Sequence, residues 1–343
     1  MSLRVGVIGA GLMGSTHVRL LSVAVSRAQV VAVSDAVAGN AERIARETGV
    51  ATVHGDAYDL IRDPEVEAVV VASPAETHEP FVLACLDAGK PVLCEKPLAA
   101  SADAARRVVE AESALGRRLV QVGFMRRFDP GYAEMKRRLD AGDVGPAVLL
   151  HCRHRNPTVP PRFDSEMIIT DTVVHEIDTA RWLLDDEIVR ATVLAPRPSS
   201  RAADGVVDPQ FVVLQTASGA LVDVEAFVNA QYGYDIRCEA VGESGTIELA
   251  PPRDVLVRSG GRESSGLPGR FQERFAEAYV RELQGWVTAI AENRAAGASA
   301  WDGYAAAAVS EACVEALRSG QPVGVALAAR PEIYAGAGAL VAH

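Results

Sequence analysis

The first third of the chain alternates wholly apolar runs with stretches in which apolar and polar residues recur at helical spacing. Val5 to Ile8 has no polar position, as a parallel strand buried on both faces requires. Ser15 to Leu21 reads as the helix that follows, and Val30 to Asp35 as a second strand. Ala41 to Glu47 is helical up to Gly49, Tyr58 to Ile61 forms a short helix before Asp63-Pro64, and Val66 to Ala72 is a valine-rich strand. Pro80 to Ala88 is a helix stopped by Gly89, Pro91 to Cys94 a short strand, and Ser101 caps a helix from Ala102 to Leu115 before a last strand, Leu119 to Gly123. This alternation predicts an α/β fold, with a doubly wound, mainly parallel Rossmann sheet and right-handed crossovers.

From about residue 124 the period changes. Asp129-Pro130 opens a helix that runs to about Ala141. Apolar and polar residues then alternate at period two in Ala147 to Arg153, Val189 to Leu194, Phe211 to Thr216, Leu221 to Phe227 and Tyr234 to Val241, and Thr246 to Leu249 adds a short strand. Two helices follow, Glu273 to Asn293 and Gly303 to Ser319, and Arg253 to Arg270 reads as a mobile loop. The expected organisation is a doubly wound α/β Rossmann domain over 1–122. An α+β domain with a large mixed, mainly antiparallel sheet, for substrate binding and oligomerisation, is expected over 123–343.

Composition narrows the class. No apolar run approaches the roughly 20 residues of a membrane helix, and Met1 to Arg4 lead straight into the first strand without a secretory signal. Five dispersed cysteines, an odd number with no paired spacing, suggest neither a disulfide framework nor zinc. A cytoplasmic protein is expected. The net charge of −11 disfavours nucleic acid as a partner.

Gly9, Gly11 and Gly14 stand in GxGxxG spacing between strand and helix. In that motif the first glycine turns the chain, the second admits a pyrophosphate, and the third lets helix and sheet approach. The phosphates sit on the backbone N–H groups at the start of the helix, where Leu12 and Met13 lie. Asp35, about 20 residues further on, ends the second strand where a carboxylate accepts from the ribose hydroxyls. That carboxylate favours NAD over NADP, since Ala36 and Val37 bring no arginine to a 2′-phosphate; Arg43 is the nearest one.

Two further groups carry chemistry. Cys94-Glu95-Lys96-Pro97 leaves a parallel strand at the ligand-binding edge of the sheet, where a lysine can stabilise a developing negative charge; the alternative is a surface lysine in a capping loop. Asp171, His175 and Asp178 fall at i, i+4 and i+7 on one helix face, where a carboxylate can orient an imidazole and raise its basicity. Here the alternative is an N-cap aspartate and a core histidine. Thr179 breaks an HExxH pattern, and no metal is expected.

In this order and spacing the motifs resemble the glucose-fructose oxidoreductase and inositol dehydrogenase (Gfo/Idh/MocA) family over nearly the whole chain. Gly123 to Asp129, His154 to Pro160 and Tyr232 to Glu239 look most like its inositol 2-dehydrogenase branch. The resemblance implies NAD-dependent oxidation of a ring hydroxyl of a cyclic polyol to a ketone, in a homotetramer built through the outer face of the second sheet. It assigns Lys96, Asp171 and His175 as the catalytic trio. It makes Met125, Asn156 and Tyr234 candidates for lining the polyol site with them, and adds Ser73, His78 and Glu95 with Lys96 to the cofactor contacts. Ala75 departs from the asparagine common in relatives, and Arg126, Arg127, Arg153 and Arg155 leave an acidic or phosphorylated substrate open. The competing readings are a dehydrogenase or reductase of another sugar, amino-polyol or nucleotide-linked sugar, and a dinucleotide-sensing protein without catalysis.

Overall fold

The computed structural model describes residues 2–250 and 255–335, which form two compact units. One comprises the residues up to Met125, Tyr279–Ala307 and those from Leu327 onward; the other comprises Arg126–Ala278 and Ala308–Ala326. The sequence reading divides the chain once, at 122/123, whereas packing returns two late segments to the first unit. The cause is apolar burial. Leu283, Trp286 and Val287 of the helix Ala276–Ala291 share one core with Val5, Val7, Val18, Val30 and Ile44.

The first unit holds β1 (Leu3–Ile8), β2 (Ala28–Ser34), β3 (Thr52–His54), β4 (Ala68–Val71), β5 (Val92–Glu95) and β6 (Val120–Gly123). All pair in parallel, in the order β3-β2-β1-β4-β5-β6. β4 and β5 are buried at every position, which is why their sequences show no alternation. Strand order reverses between β1 and β4, and folds of this kind bind ligands beyond the carboxyl ends of such strands, where residues 9–14 and Ser73 follow. The Ser101 hydroxyl caps the helix Ala102–Leu115 by accepting from the Ala104 N–H.

The last described segment is tied to this unit by a buried carboxylate. Glu112 accepts from the amides of Leu119 and Val120, at 2.5 and 2.6 Å, and from the Tyr334 hydroxyl at 2.5 Å. Burial pushes its carboxyl above the usual range, against the pull of those donors and of Arg118. The Arg118 guanidinium lies over the Tyr334 ring.

The second unit holds β7 (Ala147–Arg155), β8 (Ile188–Leu194), β9 (Gln210–Thr216), β10 (Leu221–Phe227), β11 (Asp235–Gly242) and β12 (Gly245–Glu248). Two more strands, β13 (Leu256–Ser259) and β14 (Arg262–Ser265), precede β15 (Val323–Gly324). The main sheet runs β12-β11-β7-β10-β9-β8-β15, antiparallel except where β10 lies parallel to β7. Cys152 and Cys238, distant in sequence, face each other as thiols across β7 and β11, with sulfurs 4.0 Å apart.

The expected mobile loop is corrected: β13 and β14 form a hairpin, turned by Gly260 and Gly261, both at positive φ. Two residues of that conformation suit the right-handed twist of paired strands, so glycines that read as a loop encode a turn. Arg253, the start of the expected loop, lies outside the described residues.

Replacing Tyr334 by Phe leaves the buried Glu112 carboxylate short of a donor. The variant should lose about 1–3 kcal/mol of stability and melt at a lower temperature in a thermal denaturation scan.

Candidate active-site residues

In the first unit the glycine loop is shaped by what its glycines allow. Gly9 sits at φ +90°, and a Cβ there would come within 2.5 Å of the Ala72 carbonyl oxygen. A Cβ on Gly14 would meet the Gly9 oxygen at 1.8 Å, so the loop closes on itself only with glycine at both places. A Cβ at Gly11 would meet nothing within 4 Å among the described residues beyond its chain neighbours, which is the open approach that a phosphate needs. The helix Leu12–Val23 has Gly11 as N-cap with no side-chain cap, and its first internal bond is from the Ser15 N–H to the Gly11 oxygen. The N–H groups of Leu12, Met13 and Gly14 therefore have no intrahelical acceptor and suit an anion. These features fit a dinucleotide.

Asp35 follows β2, and its carboxylate accepts from the N–H groups of Ala10 and Val37, at 2.6 and 2.8 Å. The carboxylate is thus fixed beside the glycine loop. Arg43 reaches that loop from the other side, its guanidinium 3.4 Å from the Ala10 oxygen and 3.2 Å from Ser15 Oγ. Ser73 follows β4. His78 opens the helix His78–Asp87 with its imidazole buried, Nδ1 lying 2.7 Å from the Pro97 oxygen and Nε2 2.8 Å from the Ser73 oxygen. Lys96 follows β5 and is half-buried, while Glu95 is buried with its carboxylate 2.7 Å from His17 Nε2. Met125 is buried at the end of this unit.

In the second unit Asp171 lies in a π-helical turn, Ile168–Val173, that leads into the helix Val174–Leu184 carrying His175. The sequence reading of one continuous α-helix is corrected, because the wider turn interrupts the 3.6-residue period between the two side chains. Asp171 is exposed and His175 buried. Asp178 points inward instead, to the Arg127 guanidinium at 2.5 and 3.0 Å.

Beside His175 lies a buried cluster. Glu176 is paired with Arg126 and lies 3.0 Å from His154 Nδ1. With Nδ1 donating to this carboxylate, His154 Nε2 faces the Tyr234 hydroxyl at 3.4 Å. Burial pushes the Glu176 carboxyl up, but Arg126 and His154 outweigh it and hold it below the usual range. Burial raises the Tyr234 hydroxyl to about 12. Asn156 follows β7 and Tyr234 precedes β11, at the same end of that strand pair. The Asn156 backbone is pinned to Phe227 and Ala230, while its side-chain oxygen is buried with no hydrogen-bond partner among the described residues. A buried carbonyl of that kind suits a hydroxyl donor.

The four arginines that kept an anionic substrate open are each engaged. Arg126 meets Glu176, Arg127 meets Asp178, and Arg153 and Arg155 both meet Glu225. Sequence reasoning missed the roles of His17, His154 and Glu176. His17, three residues past the last glycine, was the readable signal, since a histidine on the packed face of that helix must find a partner.

Residues 3–124 match the family model described as an oxidoreductase family with an NAD-binding Rossmann fold, and residues 132–248 match the GFO/IDH/MocA C-terminal domain. The chain is 57% identical over 335 residues to inositol 2-dehydrogenase 1 of Saccharopolyspora erythraea, covering 97% of this chain and 99% of that one. It is 48% identical to an inositol 2-dehydrogenase of Pseudomonas fluorescens, covering 97% and 100%. Among solved structures, myo-inositol dehydrogenase from Lactobacillus casei, in complex with NAD(H) and myo-inositol, superposes with a TM-score of 0.95 at 37% identity, covering 97% and 100%.

The fixed carboxylate of Asp35 generates a cofactor prediction. NAD should bind more tightly than NADP, and Asp35→Ser combined with Ala36→Arg should narrow or invert the preference in fluorescence titrations. Equal affinities in the unmodified protein would count against a ribose-facing Asp35.

Proposed function

The chain belongs to the GFO/IDH/MocA oxidoreductases, and from that premise we propose that it oxidises one ring hydroxyl of myo-inositol, or of a close stereoisomer, to a ketone. It is an NAD-dependent oxidoreductase acting on CH–OH groups. The observation that carries the substrate is the near full-length similarity, at 57% identity, to an enzyme named for inositol. The pairing of Arg126, Arg127, Arg153 and Arg155 with carboxylates supports an uncharged substrate.

Residues 9–14, Asp35 and the Ser73 and His78 segment would hold NAD, which would supply the acceptor for the hydride. A C–H bond gives up its electron pair readily only as the attached oxygen becomes a carbonyl, so the hydroxyl proton must go elsewhere. His175 takes that proton as general base. Asp171 orients His175 and the substrate, and Lys96 donates to the reacting oxygen as charge develops on it. Asn156, Tyr234 and Met125 line the polyol site, with the Asn156 oxygen accepting from a ring hydroxyl.

We further propose that copies associate as a homotetramer through the outer face of the seven-stranded sheet, where Leu221 and Leu194 are exposed. Sedimentation velocity should return a tetramer. A charged residue in place of Leu194 or Leu221 should shift it toward smaller species, and a monomer in the unmodified protein would exclude that assembly.

The catalytic prediction is an absorbance assay of NADH formation with a panel of inositols, aldoses and nucleotide-linked sugars. An inositol should be the preferred reductant of NAD. His175→Ala should lower turnover by about 10²- to 10⁴-fold with NAD affinity nearly unchanged. Asn156→Ala should weaken inositol use by about 1–3 kcal/mol in kcat/KM. If no inositol supports NADH formation and another sugar does, the substrate reading fails.

A further inference from the structure

His17 is fully buried on the helix Leu12–Val23, and its Nε2 lies 2.7 Å from Glu95 Oε1. The other Glu95 oxygen, Oε2, accepts from the backbone N–H of Lys96 at 3.2 Å. One carboxylate therefore ties the dinucleotide-loop helix to the turn that carries Lys96. Around this link the packing leaves no slack. The edge of the Tyr279 ring rests against His17, and a Cβ on Gly123 would press within 3.2 Å of both Glu95 Cα and Oε2. His78 grips the next residue of the turn through the Pro97 oxygen.

We propose that His17 is a positioning residue for Lys96, fixing through Glu95 the turn from which the Lys96 ammonium is presented. The proposal rests on the reading above that Lys96 meets the reacting oxygen. His17 is too deeply buried to touch substrate, so its effect must pass through the carboxylate. The titratable groups facing Glu95 are His17, Lys96, His78 and the adjacent Cys94 thiol. Burial pushes the Glu95 carboxyl up, but the His17 hydrogen bond, with the electrostatic influence of His17, Lys96 and His78, holds it below the usual range. Without His17 the carboxyl rises, so it takes up a proton at a higher pH and releases its grip on the turn from the acid side.

The test uses the full-length enzyme with NAD and myo-inositol. His17→Leu should lower kcat by about 10- to 100-fold, as misplacement of a reacting group does, and should move the acid limb of the kcat–pH profile to higher pH. NAD affinity, read by protein fluorescence, should change by less than about threefold, since the glycine loop is untouched. His17→Gln, which keeps an N–H of similar reach, should recover most of the turnover and return the limb. A His17→Leu enzyme with the unmodified limb, or a Gln variant no better than Leu, overturns the proposal. Lys96→Met separates the two ideas. If it turns over normally, the role of Lys96 fails and this proposal with it; if it is inactive while His17→Leu is normal, only the positioning role fails.

Discussion

Charge that leaves water must be met by opposite charge, and the second unit is organised by that requirement. The helix Val174–Leu184 is buried on nearly every side, yet it carries Glu176, Asp178 and Arg181. Each has a fixed partner: Arg126 for Glu176, Arg127 for Asp178 and Glu187 for Arg181. Breaking one such pair would strand a buried ion at a cost of about 3–5 kcal/mol. The helix accordingly has one seating, and His175, next to Glu176, inherits it. The role of general base proposed for His175 needs that fixity, because proton transfer depends on placement before it depends on basicity.

The first unit meets the same requirement with carboxylates that accept from several elements at once. Glu112 joins the Leu119 and Val120 amides to Tyr334, and Glu95 joins His17 to the Lys96 amide. Steric exclusion does the rest around the glycines, where Gly9 and Gly14 approach too closely for any side chain. The candidate site residues thus stand on, or directly after, strands and helices whose neighbours hold them, the arrangement that keeps a site within the tolerance chemistry demands.

Much of this was legible in the sequence, for reasons particular to each element. β4 and the apolar run of β5 that precedes Glu95 could be read because burial on both faces leaves no alternation, and the Ser101 and Asp129 caps because their side chains have one obvious task. Partnership was not legible. The sequence displays Arg126 and Arg153 as charges, but only the fold shows which carboxylate has claimed each. The amphipathic pattern of Ala276–Ala291 announces a buried face without saying which sheet it covers, which is why the single division at 122/123 does not match the packing. The hairpin of β13 and β14 was hidden because Gly260 and Gly261 serve a tight turn as well as a loose loop. The π-helical turn at Asp171 leaves no trace in composition at all.

The return of late segments to the first unit has a consequence for biosynthesis. Chains emerge from the ribosome amino end first, and domains generally fold as units. Here the glycine loop and all six parallel strands are made early, but Leu283, Trp286 and Val287, which fill their core, come after most of the second unit, and Tyr334 comes near the end. A nascent chain stopped near Met125 carries the complete dinucleotide fingerprint and an incomplete interior. The two units are interleaved in sequence, since Ala308–Ala326 of the second follow Tyr279–Ala307 of the first. The part of the enzyme translated first is then the part finished last, and an isolated amino-terminal fragment is a poor surrogate for the cofactor-binding unit.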